Sequence, residues 1–239
     1  MTLLDLNGKV AWVTGSGRGI GRAIARILAQ HGARVVLSAR TVAEIEAVAA
    51  EINEAGKQAM AMPCDVRQAD QVNRLVVGVQ RTYGEIDILI NNAGVAVFDK
   101  VTDISEGDWD AMSATNLKGA FLCTQAVLPG MIERKYGHII NVVSVAGKKP
   151  YYKCAGYCAS KYGLLGFTEV LRMETREHGI RVTALMPGAT DTQLWGERDV
   201  DHGKMIQPEE IAESVIAILQ AGEGATVEDL VIRPKGGDL

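Results

Sequence analysis

The chain is short of aromatic residues and of proline. Phe, Trp and Tyr make up 5% of its 239 residues, and there are 6 prolines. A core poor in rings must be filled by aliphatic side chains, and 47% of the residues are apolar. So little proline excludes polyproline and low-complexity architectures. Cysteine is scarce too: Cys64, Cys123, Cys154 and Cys158 form no Cys-x-x-Cys pair. In a chain of this length that pattern reads as free buried thiols in a reducing compartment, although Cys154 and Cys158, four apart, can share a helix face. No run of 18 apolar residues is present to span a bilayer, and "MTLLDLNGKV" carries no basic leader. A cytoplasmic protein with no membrane partner is the expectation. Charge of one sign is nowhere concentrated, and the net charge is −4, which argues against nucleic acid as a partner. His31, His138, His178 and His202 are scattered, without a His-Glu-x-x-His or a Cys/His cluster, so no metal site is expected.

What the chain does have is glycine, 26 residues of it, set among short β-branched runs that alternate with longer helical stretches. Strands are expected at 9–14, 34–39, 58–63, 86–91, 138–143, 181–186 and 229–233. Their near-continuous apolarity suits strands covered on both faces. Helices are expected at about 19–31, 42–55, 68–83, 105–135, 157–178 and 208–220. Gly32, Gly56 and Gly179 sit where C-terminal caps belong, Pro208 suits a first helical position, and Ser105 and Asp108 have capping-box spacing. End-to-end alternation implies an α/β fold: a single doubly wound, Rossmann-type domain of about seven parallel strands with helices on both faces.

"VTGSGRGIG" (13–21) leaves the first strand and opens the first helix. It is not the G-x-G-x-x-G fingerprint; it matches T-G-x-x-x-G-x-G through Thr14, Gly15, Gly19 and Gly21. Glycines let a backbone turn sharply and approach a pyrophosphate at a helix N-terminus, although a plain strand-to-helix turn also uses them. The turn makes Gly15, Ser16, Gly17, Arg18, Gly19 and Ile20 candidate cofactor contacts. The second strand ends in "LSART", with no acid to hold ribose hydroxyls. Arg40, helped by Arg18, would instead pair with a 2′-phosphate, so NADP(H) is expected over NAD(H). Two ordinary surface arginines are the plainer reading. Farther along, Tyr157 and Lys161 stand four apart, on one helix face. Either the Lys stem covers the ring, or an ammonium lowers the pKa of a working phenol.

Thr14-Gly-x-x-x-Gly-x-Gly, "NNAG" (91–94), Asn116, Ser144, "YCASK" (157–161) and "PG" (187–188) occur in the order and spacing of short-chain dehydrogenases/reductases. The resemblance covers nearly the whole chain and is strongest, among members, to 3-oxoacyl-[acyl-carrier-protein] reductases. It implies that Asp65 meets the adenine amino group with Val66 beside it, that Asn92, Ala93 and Gly94 line the adenine ribose, and that Pro187, Gly188 and Thr190 receive the nicotinamide. It implies a catalytic set in which Tyr157 exchanges a proton with the substrate oxygen and Ser144 holds that oxygen. Lys161 then tunes Tyr157 and binds the nicotinamide ribose, while Asn116 anchors a relay water. The implied substrate is a small-molecule carbonyl compound, possibly an acyl thioester, bound under a loop or lid at about 190–207. Two departures stand against the carrier-protein substrate: His178 replaces an arginine at a helix end, and "VIRPKGGDL" differs from the usual ending. A carbonyl, sugar or polyol dehydrogenase of the same family, and a dinucleotide-binding sensor without chemistry, are the alternatives. Family members are typically tetramers, and a homotetramer is expected here, with Gly119, Ala120, Gly163 and Gly166 allowing close helix approach.

Overall fold

A computed structural model describes residues 4–196, 198, 200–222 and 224–237. Among these, seven strands alternate with helices: β1 (Val10–Thr14), α1 (Gly19–Gln30), β2 (Arg34–Ser38), α2 (Val42–Glu54), β3 (Gln58–Ala61), α3 (Ala69–Thr82) and β4 (Ile88–Asn91). Then follow α4 (Glu106–Met112), α5 (Gly119–Arg134), β5 (Gly137–Val142), α6 (Ala155–Thr175), β6 (Ile180–Pro187), α7 (Pro208–Leu219) and β7 (Asp229–Ile232). Each strand lies within a residue or two of its expected place.

The strands form one parallel sheet in the order β3-β2-β1-β4-β5-β6-β7. Side chains of β1 alternate between its faces. Ala11 and Val13 join a core with Ile24, Leu28, Ile45, Ile211 and Val215, from α1, α2 and α7. Val10 and Trp12 join the opposite core with Leu75, Val79, Met131 and Leu171, from α3, α5 and α6. Trp12 is fully buried, and its Nε1 donates to Ser38 Oγ at 2.8 Å, which satisfies its one polar atom.

The expected caps form with small differences. Gly32, Gly56 and Gly179 take positive φ. The box at Ser105 is only half made: Ser105 Oγ accepts from Asp108 N at 3.0 Å, but the Asp108 carboxylate accepts from that same hydroxyl at 2.6 Å. A full capping box stands at Gln207 and Glu210 instead. The single helix expected over 105–135 is interrupted by a π-helical turn, Ser113–Lys118, which widens the coil between α4 and α5. The four small residues also separate. A Cβ on Gly119 would lie 2.7 Å from Val66 Cγ2, and one on Gly163 would lie 2.8 Å from Leu117 Cδ2, so both glycines serve packing within the chain. Gly166 faces open space.

The strand order reverses between β1 and β4, and the crevice outside the C-terminal ends at such a point is where open α/β sheets bind ligands.

Candidate active site

A cavity of about 720 Å³ opens at that crevice. Its floor is the turn after β1. Gly15, at φ +64°, lies so close to β4 that a Cβ there would sit 2.9 Å from Ala93 Cα, and a Cβ on Gly21 would sit 2.3 Å from Gly15 O. α1 begins at Gly19 without a side-chain cap and with no acid in its first turn, which leaves its first N–H groups free for an anion. That donor set fits the pyrophosphate of a dinucleotide. Gly15, Gly17, Arg18, Gly19 and Ile20 line the cavity. Ser16 does not: it is fully buried beneath the turn, its N and Oγ bonded to Ser38 O.

Asn92, Ala93 and Gly94 line the cavity beside the turn. Thr14 fixes them there: its hydroxyl donates to Ile90 O and accepts from the N–H groups of Asn92 and Ala93, both at 2.9 Å. Asn92 Nδ2 in return donates to Thr14 O and Gly15 O. The sequence marks Thr14 only as the first letter of a motif; its work as a hub between two strand ends appears in the structure.

The adenosine end holds Arg18, Arg40, Asp65 and Val66. Both Asp65 oxygens are already engaged by Arg67, at 2.6–3.0 Å, and this fork holds the carboxyl below its ordinary value. Glu44 lines the same end, 3.9 Å from Arg18 Nη1. Neither Arg67 nor Glu44 was singled out by the sequence, because neither belongs to a spacing that predicts contact.

At the far end the structure brings Ser144, Tyr157 and Lys161 to one wall. Ser144 Oγ donates to Pro187 O at 3.4 Å and accepts from Ala146 N at 3.1 Å, and the residue holds a backbone conformation, φ +155° and ψ 160°, rare outside glycine. Lys161 Nζ donates to Val142 O at 2.9 Å and lies 5.7 Å from the Tyr157 ring centroid. The expectation that the ammonium lowers the phenol's pKa does not hold for the chain alone. Burial pushes Tyr157 up to about 12, offset only in part by the Ser144 hydroxyl, and pulls Lys161 down to about 7. Desolvation is the largest cause for each group.

Asn116 does not line the cavity. It sits in the π turn, 1% exposed, where its amide clamps one residue from both sides: Oδ1 accepts from Val95 N at 2.8 Å and Nδ2 donates to Val95 O at 2.9 Å. Nδ2 also donates to Ser160 Oγ, which donates to Tyr157 O. A Cβ on Gly94 would lie 3.4 Å from Asn116 Oδ1 and 3.8 Å from Lys161 Nζ, so the two groups flank the same gap.

Pro187, Gly188 and Thr190 follow β6 into the cavity wall. The segment after them is pinned at both ends, by Ile206 N to Ala189 O and Asp191 N to Ile206 O, and by His202 Nδ1 against Asp191 Oδ1 at 2.7 Å. Of the loop expected at 190–207, positions 197 and 199 lie outside the described residues. Its described part reaches over Tyr157. Trp195 stacks on Phe98 at 5.6 Å and 5°, Arg198 lies 4.3 Å over the Phe98 ring, and Phe98 tilts against Tyr157 at 5.8 Å. Cys158 in α6 and Cys154, the residue just before that helix, pack with Phe98, Tyr151 and Tyr157.

A cavity of this size, with uncapped helix N–H groups at one end and a half-buried phenol beside a buried amine at the other, suits an oxidoreductase that uses a nicotinamide coenzyme. Known proteins narrow the class. The family model "short chain dehydrogenase" matches residues 9–202. A sepiapterin reductase of Chlorobaculum tepidum is 37% identical over 235 residues, which cover 95% of this chain and 96% of that protein. An uncharacterized oxidoreductase of Staphylococcus aureus is 35% identical, over 96% of this chain and 98% of that one. Among solved structures, a metagenomic short-chain oxidoreductase in complex with NADP superposes with a TM-score of 0.85 at 40% identity, over 96% and 98% of the two chains. An alcohol dehydrogenase of Thermococcus sibiricus complexed with 5-hydroxy-NADP gives 0.89 at 30%, over 95% and 97%. The chain belongs to the short-chain dehydrogenase/reductase family, and it is an oxidoreductase.

Proposed function

We propose that the protein reduces a carbonyl compound with NADPH, Tyr157 serving as general acid, and that the substrate is a 3-oxoacyl thioester. The observation that carries the reading is the phenol itself: Tyr157 is half-buried in the cavity wall beside Ser144 and Lys161, and desolvation pushes its pKa up to about 12. When bound, the reduced coenzyme supplies the hydride. Tyr157 gives its proton to the substrate oxygen as charge develops there, and the Ser144 hydroxyl holds that oxygen by a hydrogen bond. An alkoxide is about as basic as hydroxide, whose conjugate acid has a pKa of ~15.7, so a phenol at about 12 still transfers its proton downhill. Lys161, titrating near neutrality, binds the ribose hydroxyls and restores the proton, with Asn116 steadying the gap between them.

For the coenzyme, the turn takes the pyrophosphate through Gly15, Gly17, Gly19 and Ile20. Arg18 and Arg40 take the 2′-phosphate, and Asp65 and Val66 take the adenine. Asn92, Ala93 and Gly94 take its ribose, and Pro187, Gly188 and Thr190 take the nicotinamide. The preference for NADPH is supported by those two arginines and by the NADP-bound relatives. The test is oxidation of NADPH, beside NADH, with an acetoacetyl thioester. No turnover with either, in protein that binds NADPH, would overturn the thioester reading.

One observation favours a second substrate: Phe98, Tyr151, Tyr152 and Trp195 surround the catalytic wall in a chain with only 5% aromatics. A ketone borne on a flat conjugated ring would stack there, consistent with the sepiapterin reductase relative. Turnover of such a ketone with rejection of the thioester decides between the two. The loop over Phe98 acts as the lid, and the four free cysteines suit the cytoplasm. Among the described residues no helix is long and apolar enough to cross a membrane. A homotetramer is supported by the outward face of α6, where Gly166 is open and Val170 and Met173 are exposed; sedimentation as a stable monomer would refute it. A coenzyme sensor without chemistry is refuted if Tyr157→Phe abolishes turnover and keeps binding.

A further inference from the structure

Glu44 occupies a place that neither the arginines nor the glycine turn explains. It is the third residue of α2, where a glutamate commonly folds back to cap the helix, yet no capping box forms there and Thr41 makes no side-chain cap. Its side chain reaches across the cavity floor instead. A Cβ built on Gly17 would lie 2.8 Å from both Glu44 Cβ and Glu44 Oε2, so the carboxylate rests on the turn itself. Arg18 Nη1 is 3.9 Å away, and Arg40 and Thr41 border the same end of the cavity.

The adenosine ribose of a nicotinamide coenzyme comes in two forms, and the two want opposite partners. A free 2′-hydroxyl is held by a carboxylate, which accepts a hydrogen bond from it; a 2′-phosphate carries a charge of about −1.5 to −2 and calls for guanidinium groups. This site holds both kinds of group within one cluster. Glu44 acts against a 2′-phosphate twice, by like-charge repulsion and by drawing on Arg18, and it offers the hydroxyl form an acceptor.

We propose that Glu44 sets the coenzyme specificity of this site, admitting NADH beside NADPH by accepting from the ribose hydroxyls and by engaging Arg18. The proposal rests on the dinucleotide reading above. A carboxylate at the end of the second strand is what the sequence lacks; Glu44 supplies one from the first turn of the following helix.

The test is binding, read from the fluorescence of the reduced nicotinamide on titration of coenzyme into protein without substrate, with thermal unfolding to confirm that each variant is folded. Glu44→Gln keeps the size and removes the charge. It is expected to tighten NADPH by about three- to fivefold and to weaken NADH by a similar factor, the range of an exposed charge pair. Arg18→Ala is expected to weaken NADPH, and in the double variant Glu44→Gln should recover less NADPH affinity than it does alone. A ratio of the two affinities unmoved by Glu44→Gln, or one that moves toward NADH, overturns the assignment of Glu44 and leaves the dinucleotide reading standing. Unmutated protein that binds neither coenzyme overturns both.

Discussion

Replacing Lys161 by methionine should stabilise the coenzyme-free protein near neutral pH, by an amount that vanishes in alkali. The ammonium is 4% exposed, its hydrogen bond goes to the carbonyl of Val142, and burial pulls its pKa from 10.5 down to about 7. Below pH 7 the amine is charged in both states, and the native state bears the full cost of keeping an ammonium out of water. Between about 7 and 10.5 the unfolded chain still holds a proton that the native chain has released, so stability rises with pH through that window. Above 10.5 the amine is neutral in both states and the penalty is gone. The gap between 10.5 and about 7 corresponds to on the order of 5 kcal/mol. Losing the bond to Val142 takes back about 1 kcal/mol, while methionine keeps the unbranched stem in its slot. Urea unfolding of both proteins at pH steps from 6 to 10 reads the difference directly. A gap of the same size at pH 6 and pH 10, or a variant less stable than the parent at pH 6, would refute the account of a desolvated ammonium.

Tyr157→Phe should lower kcat by about 10²–10⁴-fold while NADPH still binds; a smaller loss in steady-state turnover means that another group delivers the proton. His138 is buried, donates through Nε2 to a Thr183 hydroxyl that itself donates to Val227 O, and has its pKa pulled down to about 3 by burial. The unfolded chain therefore takes up a proton at His138 that the native chain refuses between pH 6.5 and about 3, and stability falls as pH falls. His138→Gln should reduce the loss between pH 7 and 4 by about 3 kcal/mol, measured by urea unfolding, and an unchanged acid limb would refute this. In kcat/KM profiles, carbonyl reduction should show no loss attributable to Tyr157 below pH 9, whereas alcohol oxidation should climb with pH. An inflection in reduction between 7.5 and 9 that disappears in Tyr157→Phe would refute the high phenol pKa.

The central strands were legible because each is largely apolar, as a strand covered on both faces must be, and the turns because glycine marks positive φ at Gly15, Gly32 and Gly56. The pairing of Tyr157 with Lys161 was legible from spacing on one helix, whereas Ser144 joined them only through the family resemblance. What escaped lies in contacts between residues far apart in sequence. Nothing in the local pattern 113–118 announces a π turn, which depends on Asn116 reaching Val95 and Ser160. The Phe98–Trp195–Arg198 stack joins loops about a hundred residues apart. Ser16 looked like a ligand contact because its neighbours are, but the turn's hydrogen bonds to Ser38 O put its side chain underneath.

The Tyr157–Lys161 spacing deserved a different physical reading from the one it first invites. Four residues apart on a helix suggests a pair in which a cation makes an acid stronger, and that would hold for two groups in water-filled space. Here desolvation is the largest influence on each, and it favours the uncharged form of both, raising the phenol to about 12 and lowering the amine to about 7. The resting pair above pH 7 is a neutral phenol beside a neutral amine. The phenol of such a pair can give a proton to an oxygen that gains charge, and the neutral amine can take one up. The groups that set both values are the residues that desolvate the wall as much as the two that titrate.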